Sequence, residues 1–280
     1  MKYVITAKGL LDVNTGNGSF SGGTPVSQTE CATELIITRL EAINLFKQGL
    51  INSDTCVVTL PERRFLYENI FTKTEVYNPS KVYKDCIDLV SNESIERLCK
   101  KLPYKPFYKY FDRDKKEILD IPLNKSILNM ECDQFLICIP RLKNSDTRRN
   151  LEQNYWENFI KKASKIYSKV CVFGKGNQNL DNGKNIVYID TLKDYCSYLH
   201  HPNCAHVVST ISGPCHYAQS FSNTGGKTLL TMIDNYNLIE KHGDDPSYFH
   251  PCINFTNIKI NFIKKVPTVD ELLETLEEKW

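Results

Sequence analysis

The chain has no uncharged apolar run approaching the roughly 18 residues a membrane-spanning helix needs, so no span is expected. It also lacks a dominant charge. Its 35 Lys and Arg face 33 Asp and Glu, for a formal net charge of +2. That balance argues against nucleic acid as a partner and leaves room only for a local basic groove. No two cysteines stand as Cys-x-x-Cys, and no segment repeats at a fixed period. The opening MKYVITAKGLLDVN has too short an apolar stretch, too soon followed by Gly and Asp, to read as a signal peptide. Two nucleotide-binding motifs are missing as well. The glycine-rich stretch GNGSFSGG does not fit the dinucleotide fingerprint. Gly225-Gly226-Lys227-Thr228 ends like a phosphate-binding P-loop, but Phe221 stands where its first glycine belongs, and a strand is expected next instead of a helix.

What is present describes an ordinary globular chain. Hydrophobic residues make up 41% and charged residues 24% of 280 residues. The length predicts about two domains and a core needing no disulfide or metal staple. The eleven cysteines are odd in number, and several lie inside apolar runs (Cys56, Cys138, Cys171). There a thiol packs as a small hydrophobe, so a reducing, cytoplasmic compartment is expected.

Hydrophobic periodicity predicts alternating strands and helices. KYVITA at the start and TCVVTL at 55–60 predict buried strands. Between them lie a five-glycine loop at 9–28 and a helix over 30–48 that stops at Gly49. A capped helix is expected at 91–102, with the domain junction between about 120 and 134. Beyond it, strands are predicted at 134–140, 169–174, 185–190, 205–210, 227–234 and 257–263. Helices are predicted at 150–167, 191–200, 213–221 and 268–280, the last opened by a Thr268–Glu271 capping box. This pattern predicts an α/β chain with two Rossmann-like parallel-sheet domains facing a cleft. The domains are placed at 1–125 and 126–265, with a terminal helix at 266–280. Ligands of open parallel sheets bind beyond the carboxyl ends of the strands, so the strand-to-helix loops hold the candidate residues.

The strongest local pattern is VVSTISGPCHYAQ at 207–219, a buried strand running through Ser212-Gly213-Pro214 into a helix. The amide N–H groups of Cys215 and His216, with the helix dipole and the His216 side chain, would suit an anion. The alternative is a helix cap with a structural histidine. Arg141, Arg148 and Arg149 surround the loop after the 134–140 strand, and guanidinium forks match phosphate oxygens. In the first half, Asp12, Glu30 and Glu34 follow the first strand. Each is a candidate general base, with Glu30 better explained by its favourable place at a helix start. His200, His201, Cys204 and His206, with Cys215 and His216 beyond, form a His/Cys cluster whose spacing fits no standard zinc site.

VVSTISGPCHYAQSF resembles the strand–SGPxHxA–helix motif of the heptosyltransferase-like (family 9-like) glycosyltransferases, which have the GT-B fold. ICIPRLKNSDTRRNLEQNYWENFIKKA, VCVFGKGNQN and NIVYIDTLKDYCSYL are similar to their neighbouring units, so the resemblance covers about 134–235. In the first half, KYVITAKGLLDV resembles the strand and loop that carry the family's catalytic Asp. The resemblance implies a compact GT-B enzyme that transfers a sugar from a nucleoside-diphosphate sugar, UDP first, to a glycan hydroxyl with inversion. Asp12 would be the base. Ser212, Gly213 and His216 would hold the diphosphate, with charge from Arg141, Arg148 or Arg149, and Gly174 and Lys175 would border the nucleotide. No cofactor is implied, and no convincing Asp-x-Asp ends a strand to hold a divalent metal. Ile211 stands where the family often has Asp before Ser-Gly. This keeps a non-catalytic nucleotide-binding protein as an alternative, beside a DNA-base sugar transferase or nucleic-acid binder on the same fold.

Overall fold

The computed structural model describes residues 2–8, 34, 38–91, 121–141, 150–174, 183–221, 228–235 and 259–278, with the backbone alone at 216 and 219–221. The chain divides into two compact units, Met1–Pro122 and Leu123–Trp280. The helix expected at 91–102, apart from Ser91, and the whole of the 9–28 loop lie outside the described residues.

In the first unit, β1 (Tyr3–Ile5), β2 (Cys56–Thr59), β3 (Lys73–Val76) and β4 (Cys86–Asp88) form a parallel sheet in the order β3-β2-β1-β4. The central strands are the apolar runs legible in the sequence. The edge strands β3, with two charged residues in four, and the three-residue β4 carry too little periodicity to be read. Helix α1 (Arg39–Lys47) ends as the sequence suggests. Gly49 adopts a left-handed φ of +69°, its N–H reaching the Phe46 carbonyl while Leu50 N–H reaches that of Leu45. This doubly bonded left-handed end favours a residue without Cβ.

The first unit is knotted by a buried carboxylate. Glu34, 2% exposed, accepts from the Thr6 hydroxyl (3.0 Å), the Tyr67 hydroxyl (2.8 Å), the Arg63 guanidinium (2.9 Å) and the Thr59 hydroxyl. Thr6 and Thr59 follow or end β1 and β2. Arg63 and Tyr67 belong to or follow the 3₁₀ helix Pro61–Leu66. Burial, then the Glu34 charge, pushes the Tyr67 phenol well above its ordinary value, so it stays a donor.

The second unit is a six-stranded parallel sheet of β5 (Phe135–Ile139), β6 (Lys169–Phe173), β7 (Ile186–Ile189), β8 (Cys204–Thr210), β9 (Leu229–Ile233) and β10 (Lys259–Ile263). Their spatial order is β10-β9-β8-β5-β6-β7, every pair parallel. The chain therefore builds outward from β5 through β6 to β7, then returns to the other side of β5 and builds outward through β8. Helices α2 (Lys125–Leu128), α3 (Gln153–Ala163), α4 (Leu192–His200), α5 (Gly213–Phe221) and α6 (Val269–Glu278) complete the unit.

Both faces of this sheet are covered, which is why its strands are apolar runs without alternation. On one face Leu136, Cys138, Val170, Val172 and Val208 pack with Trp156, Phe159, Ile160 and Ala163 of α3 and with Val269, Leu272, Leu273 and Leu276 of α6. On the other, Phe135 meets the Tyr198 ring edge-on at 5.8 Å, and Phe173 stacks on Tyr195 at 4.2 Å, both partners on α4. The C-terminal helix is thus part of the second unit's core. Its Thr268 N–H and hydroxyl both donate to the Glu271 carboxylate, and Glu271 N–H donates back to the Thr268 hydroxyl. These donors lower the Glu271 carboxyl from its ordinary value. Eight described cysteines are free thiols, six of them buried.

Arg63→Ala will leave the Glu34 carboxylate buried without its cation and lower stability by about 3–5 kcal/mol, measured by urea unfolding. A loss under about 1 kcal/mol would show that Glu34 does not depend on the ion pair.

Candidate functional site

Strand order locates the site. In the second sheet, β5 lies beside β8, and the helix connections that leave these two strands run to opposite sides. A crevice opens at such a reversal beyond the carboxyl ends of the strands. Two residues past β5 stands Arg141. Two past β8 stands Ser212, where α5 begins at Gly213. The topology therefore brings Arg141 to the same sheet edge as Ser212 and Gly213, which lie more than 70 residues later in sequence.

The edge is tied by short polar links. The Ser209 hydroxyl lies 3.1 Å from the Ile139 carbonyl of β5 and 2.7 Å from that of Thr210, a bridge between the two strands at the reversal. The Ser212 hydroxyl sits 3.3 Å from that of Ser209 and 3.8 Å from the Cys215 thiol. The Cys215 N–H donates to the Ser212 carbonyl at 3.1 Å, so this amide, expected from the sequence to be free for an anion, is engaged within the helix's first turn. The Cys215 thiol is buried, points to the Thr210 carbonyl and is raised by burial, which marks it as packing and not as a nucleophile.

Arg141 is 6% exposed, and its Nη1 donates to Asn150 Oδ1 at 2.8 Å. The Asn150 carbonyl in turn accepts from Asn235 Nδ2 at 3.2 Å. This chain of amides orients the guanidinium at the carboxyl edge and links the ends of β5 and β9. Sequence reasoning missed Asn150 and Asn235, because lone asparagines between elements carry no periodic signal. Gly174, at the end of β6, adopts φ +131°, a backbone closed to most side-chain-bearing residues. The next strand-to-helix turn leads to α4, which Thr191 caps by accepting from Asp194 N–H at 3.0 Å.

Asp12, Glu30, Arg148, Arg149 and Lys175, and the His216 side chain, lie outside the described residues. Glu34, one of the candidate bases, is corrected by its burial: its oxygens serve the first unit's interior. Among the described residues, the His/Cys cluster does not converge. His201 accepts from Asn203 N–H at 3.1 Å and has its other ring nitrogen 3.0 Å from the Met130 carbonyl. His206 packs against the Tyr167 ring at 5.6 Å. Among the described residues, no group of three or more His, Cys, Asp or Glu is placed to hold a metal ion.

The first sheet has its own reversal, between β1 and β4. Lys8, three residues past β1, forms an ion pair there with Asp88, the last residue of β4. Neither was singled out from sequence. Lys8 looks like any exposed lysine, and Asp88 ends a strand too short to recognise.

The chain superposes along nearly its whole length on known glycosyltransferase structures. Escherichia coli ADP-heptose LPS heptosyltransferase II aligns with a TM-score of 0.57 at 10% identity, over 99% of this chain and 98% of that one. A glycosyl transferase family 9 structure from Veillonella parvula aligns with a TM-score of 0.53 at 10% identity, over 100% and 98%. The Escherichia coli heptosyltransferase WaaC with ADP aligns with a TM-score of 0.51 at 10% identity, over 99% of each chain. No protein-family model and no curated protein matches the sequence, so the likeness is one of fold.

Two outcomes test this geometry. Gly174→Ala will strain the turn after β6 and lower stability by about 1–3 kcal/mol in urea unfolding; an unchanged midpoint would show that the turn relaxes freely. Burial alone lowers the His206 imidazole to about 4. The unfolded chain therefore binds this proton more readily as pH falls from about 6.5 towards 4, and stability is lost across that window. Integrated, the loss is about 3 kcal/mol. His206→Phe should remove this part of the slope, seen as a smaller difference between urea midpoints at pH 7 and pH 4.5.

Proposed function

We propose that the protein is a glycosyltransferase that uses a nucleoside-diphosphate sugar and transfers the sugar to a hydroxyl of a glycan acceptor. The observation that carries this reading is the β5/β8 reversal. It sets Arg141 and the Ser212-Gly213 start of α5 on one carboxyl edge, in a chain whose fold follows glycosyltransferases from end to end.

In this reading the diphosphate lies against the N-terminus of α5, with Ser212, Gly213 and His216 beside it and Arg141, Arg148 or Arg149 supplying positive charge. Gly174 and Lys175 border the nucleotide. A helix N-terminus and guanidinium groups stabilise an anion that gains charge as the leaving bond breaks. The acceptor oxygen attacks the anomeric carbon. The bond from that carbon to the phosphate oxygen breaks, its electron pair stays on the nucleoside diphosphate, and a carboxylate takes the acceptor proton. Asp12 is the first assignment for that carboxylate. A single displacement inverts the anomeric centre, and protein cations meeting the diphosphate charge make transfer independent of divalent metal. UDP is the first base to try because UDP-sugars are common donors. ADP joins it because two similar structures are an ADP-heptose heptosyltransferase and a heptosyltransferase with ADP.

Thermal melting with UDP, ADP and GDP and their sugars tests the reading. A ligand at 100 times its Kd adds about 2.7 kcal/mol to stability, so at least one will raise Tm measurably. His216→Ala will weaken that shift, and Asp12→Asn will leave it intact while transfer stops. No shift with any of the nucleotides in the wild type would end the proposal.

A further inference from the structure

We infer that Tyr195 is a positioning residue for the donor's diphosphate. Its hydroxyl fixes the start of α5 against the turn after β6, and this sets a preference for nucleoside diphosphate over monophosphate. The inference deepens the glycosyltransferase reading and rests on it.

Tyr195 lies in the first turn of α4, where the helix cap holds it. The Thr191 hydroxyl accepts from Asp194 N–H at 3.0 Å and donates to Asp194 Oδ2 at 2.8 Å. Tyr195 N–H donates to the Thr191 carbonyl at 3.0 Å. Asn124, the N-cap of α2, adds two further ties to α4: its Nδ2 donates to Asp194 Oδ1 at 2.9 Å and its N–H to the Ser197 hydroxyl at 2.8 Å. The Tyr195 ring is fully buried. Phe173 stacks on it with centroids 4.2 Å apart and planes 2° apart. Phe173 ends β6, and Gly174 with its φ of +131° follows at once.

From this fixed ring the hydroxyl donates to the Pro214 carbonyl at 3.0 Å. Pro214 is the second residue of α5. Sheet order places β6 and β8 on the two sides of β5. Tyr195 therefore bridges the turns that leave the two neighbours of β5, and every contact lies within the second unit. Burial pushes its phenol well above the ordinary value, and nearby thiols add to this, so the hydroxyl stays a donor.

In the glycosyltransferase reading one of these turns borders the nucleotide and the other receives the diphosphate. A diphosphate must meet both at once, whereas a monophosphate needs only the turn beside the nucleotide. The bonds of the α5 start to its own strand, Cys215 N–H to the Ser212 carbonyl and Ser212 beside Ser209, locate it relative to β8. Tyr195 locates it relative to β6. The pull of a helix terminus on an anion falls off within one turn, so the distance between the two turns decides how well a diphosphate fits. A tyrosine that served packing alone would lower stability when its hydroxyl is removed and leave the ligand preference unchanged.

The experiment uses the full chain, with UDP, ADP, UMP and AMP as probes in calorimetry and urea unfolding in parallel. Tyr195→Phe keeps the ring and its stack and removes only the hydroxyl. It should raise the diphosphate Kd about fivefold, as the loss of one hydrogen bond does, and hold the monophosphate Kd within about twofold, so the ratio of the two narrows. Tyr198→Phe, on the same helix against Phe135, should leave the ratio as in the wild type. Phe173→Leu keeps the hydroxyl and loosens the stack, and it should narrow the ratio less than Tyr195→Phe does. If Tyr195→Phe lacks a cooperative unfolding transition, Phe173→Leu decides, and an unchanged ratio there overturns the inference. An unchanged ratio in a folded Tyr195→Phe, or the same narrowing in Tyr198→Phe, would also overturn it. So would a wild type that binds diphosphate and monophosphate equally. A wild type that binds none of these nucleotides defeats the glycosyltransferase reading itself, a different failure.

Discussion

The neighbouring of β5 and β8 is the constraint on which the second unit rests. Parallel pairing sets Ile139 level with Ser209, so the two strands end together and their following turns leave from one edge. The Ser209 hydroxyl bridges to the β5 backbone at that point. Had β8 paired elsewhere, the turns carrying Arg141 and Ser212 would not leave from neighbouring strand ends. The large apolar groups serve the same end. Trp156, Phe159 and Leu272 fill the space between α3, α6 and the sheet, and each such side chain contributes about 1.5–3 kcal/mol by leaving water. That rigidity keeps the edge geometry fixed.

Charge is distributed between the interior and the edges by need. A buried carboxylate is tolerated only when its acceptor positions are filled. Glu34 meets this through two threonines, a tyrosine and an arginine drawn from three different elements. The same interactions join β1, β2 and the 3₁₀ helix beside the buried side chains of Val4, Val57, Val58 and Leu66. By contrast, Lys162 pairs with Asp270 at 2.6 Å between the exposed sides of α3 and α6, where the pair mainly guides packing already set by Phe159 and Leu272. Lys8 and Asp88 fall between these cases in exposure.

The thiols and imidazoles follow the same logic. Burial raises Cys138 and Cys204 well above the ordinary thiol value and lowers His206. Neutral forms are therefore favoured inside the second sheet. These residues, suggestive of chemistry when counted along the chain, act as small or flat packing groups once folded. His201 instead holds the Met130 and Asn203 backbones at the opposite, amino end of the strands.

The strands of the second unit were legible because burial on both faces writes a continuous apolar run into the sequence. QFLICIP, KVCVFG and AHVVST each became a strand within a residue or two, and Thr268–Glu271 became a reciprocal cap because such bonds are local. The edge strands β3 and β4 were not legible, since three or four partly exposed residues bear no period. The role of Glu34 was hidden for a different reason. A carboxylate four residues past a helix start reads as surface, and only the convergence of Thr6, Thr59, Arg63 and Tyr67 makes it interior. By itself the sequence determined the alternation of strands and helices, the apolar character of the central strands and the Ser212-Gly213-Pro214 turn. Those follow from hydrophobic period and backbone preference within a few residues. Only the tertiary structure decided that β5 adjoins β8 and β1 adjoins β4, that Arg141 meets Asn150, and that Lys8 meets Asp88. Strand adjacency is chosen by the packing of whole layers, a sum over distant contacts that no local window contains.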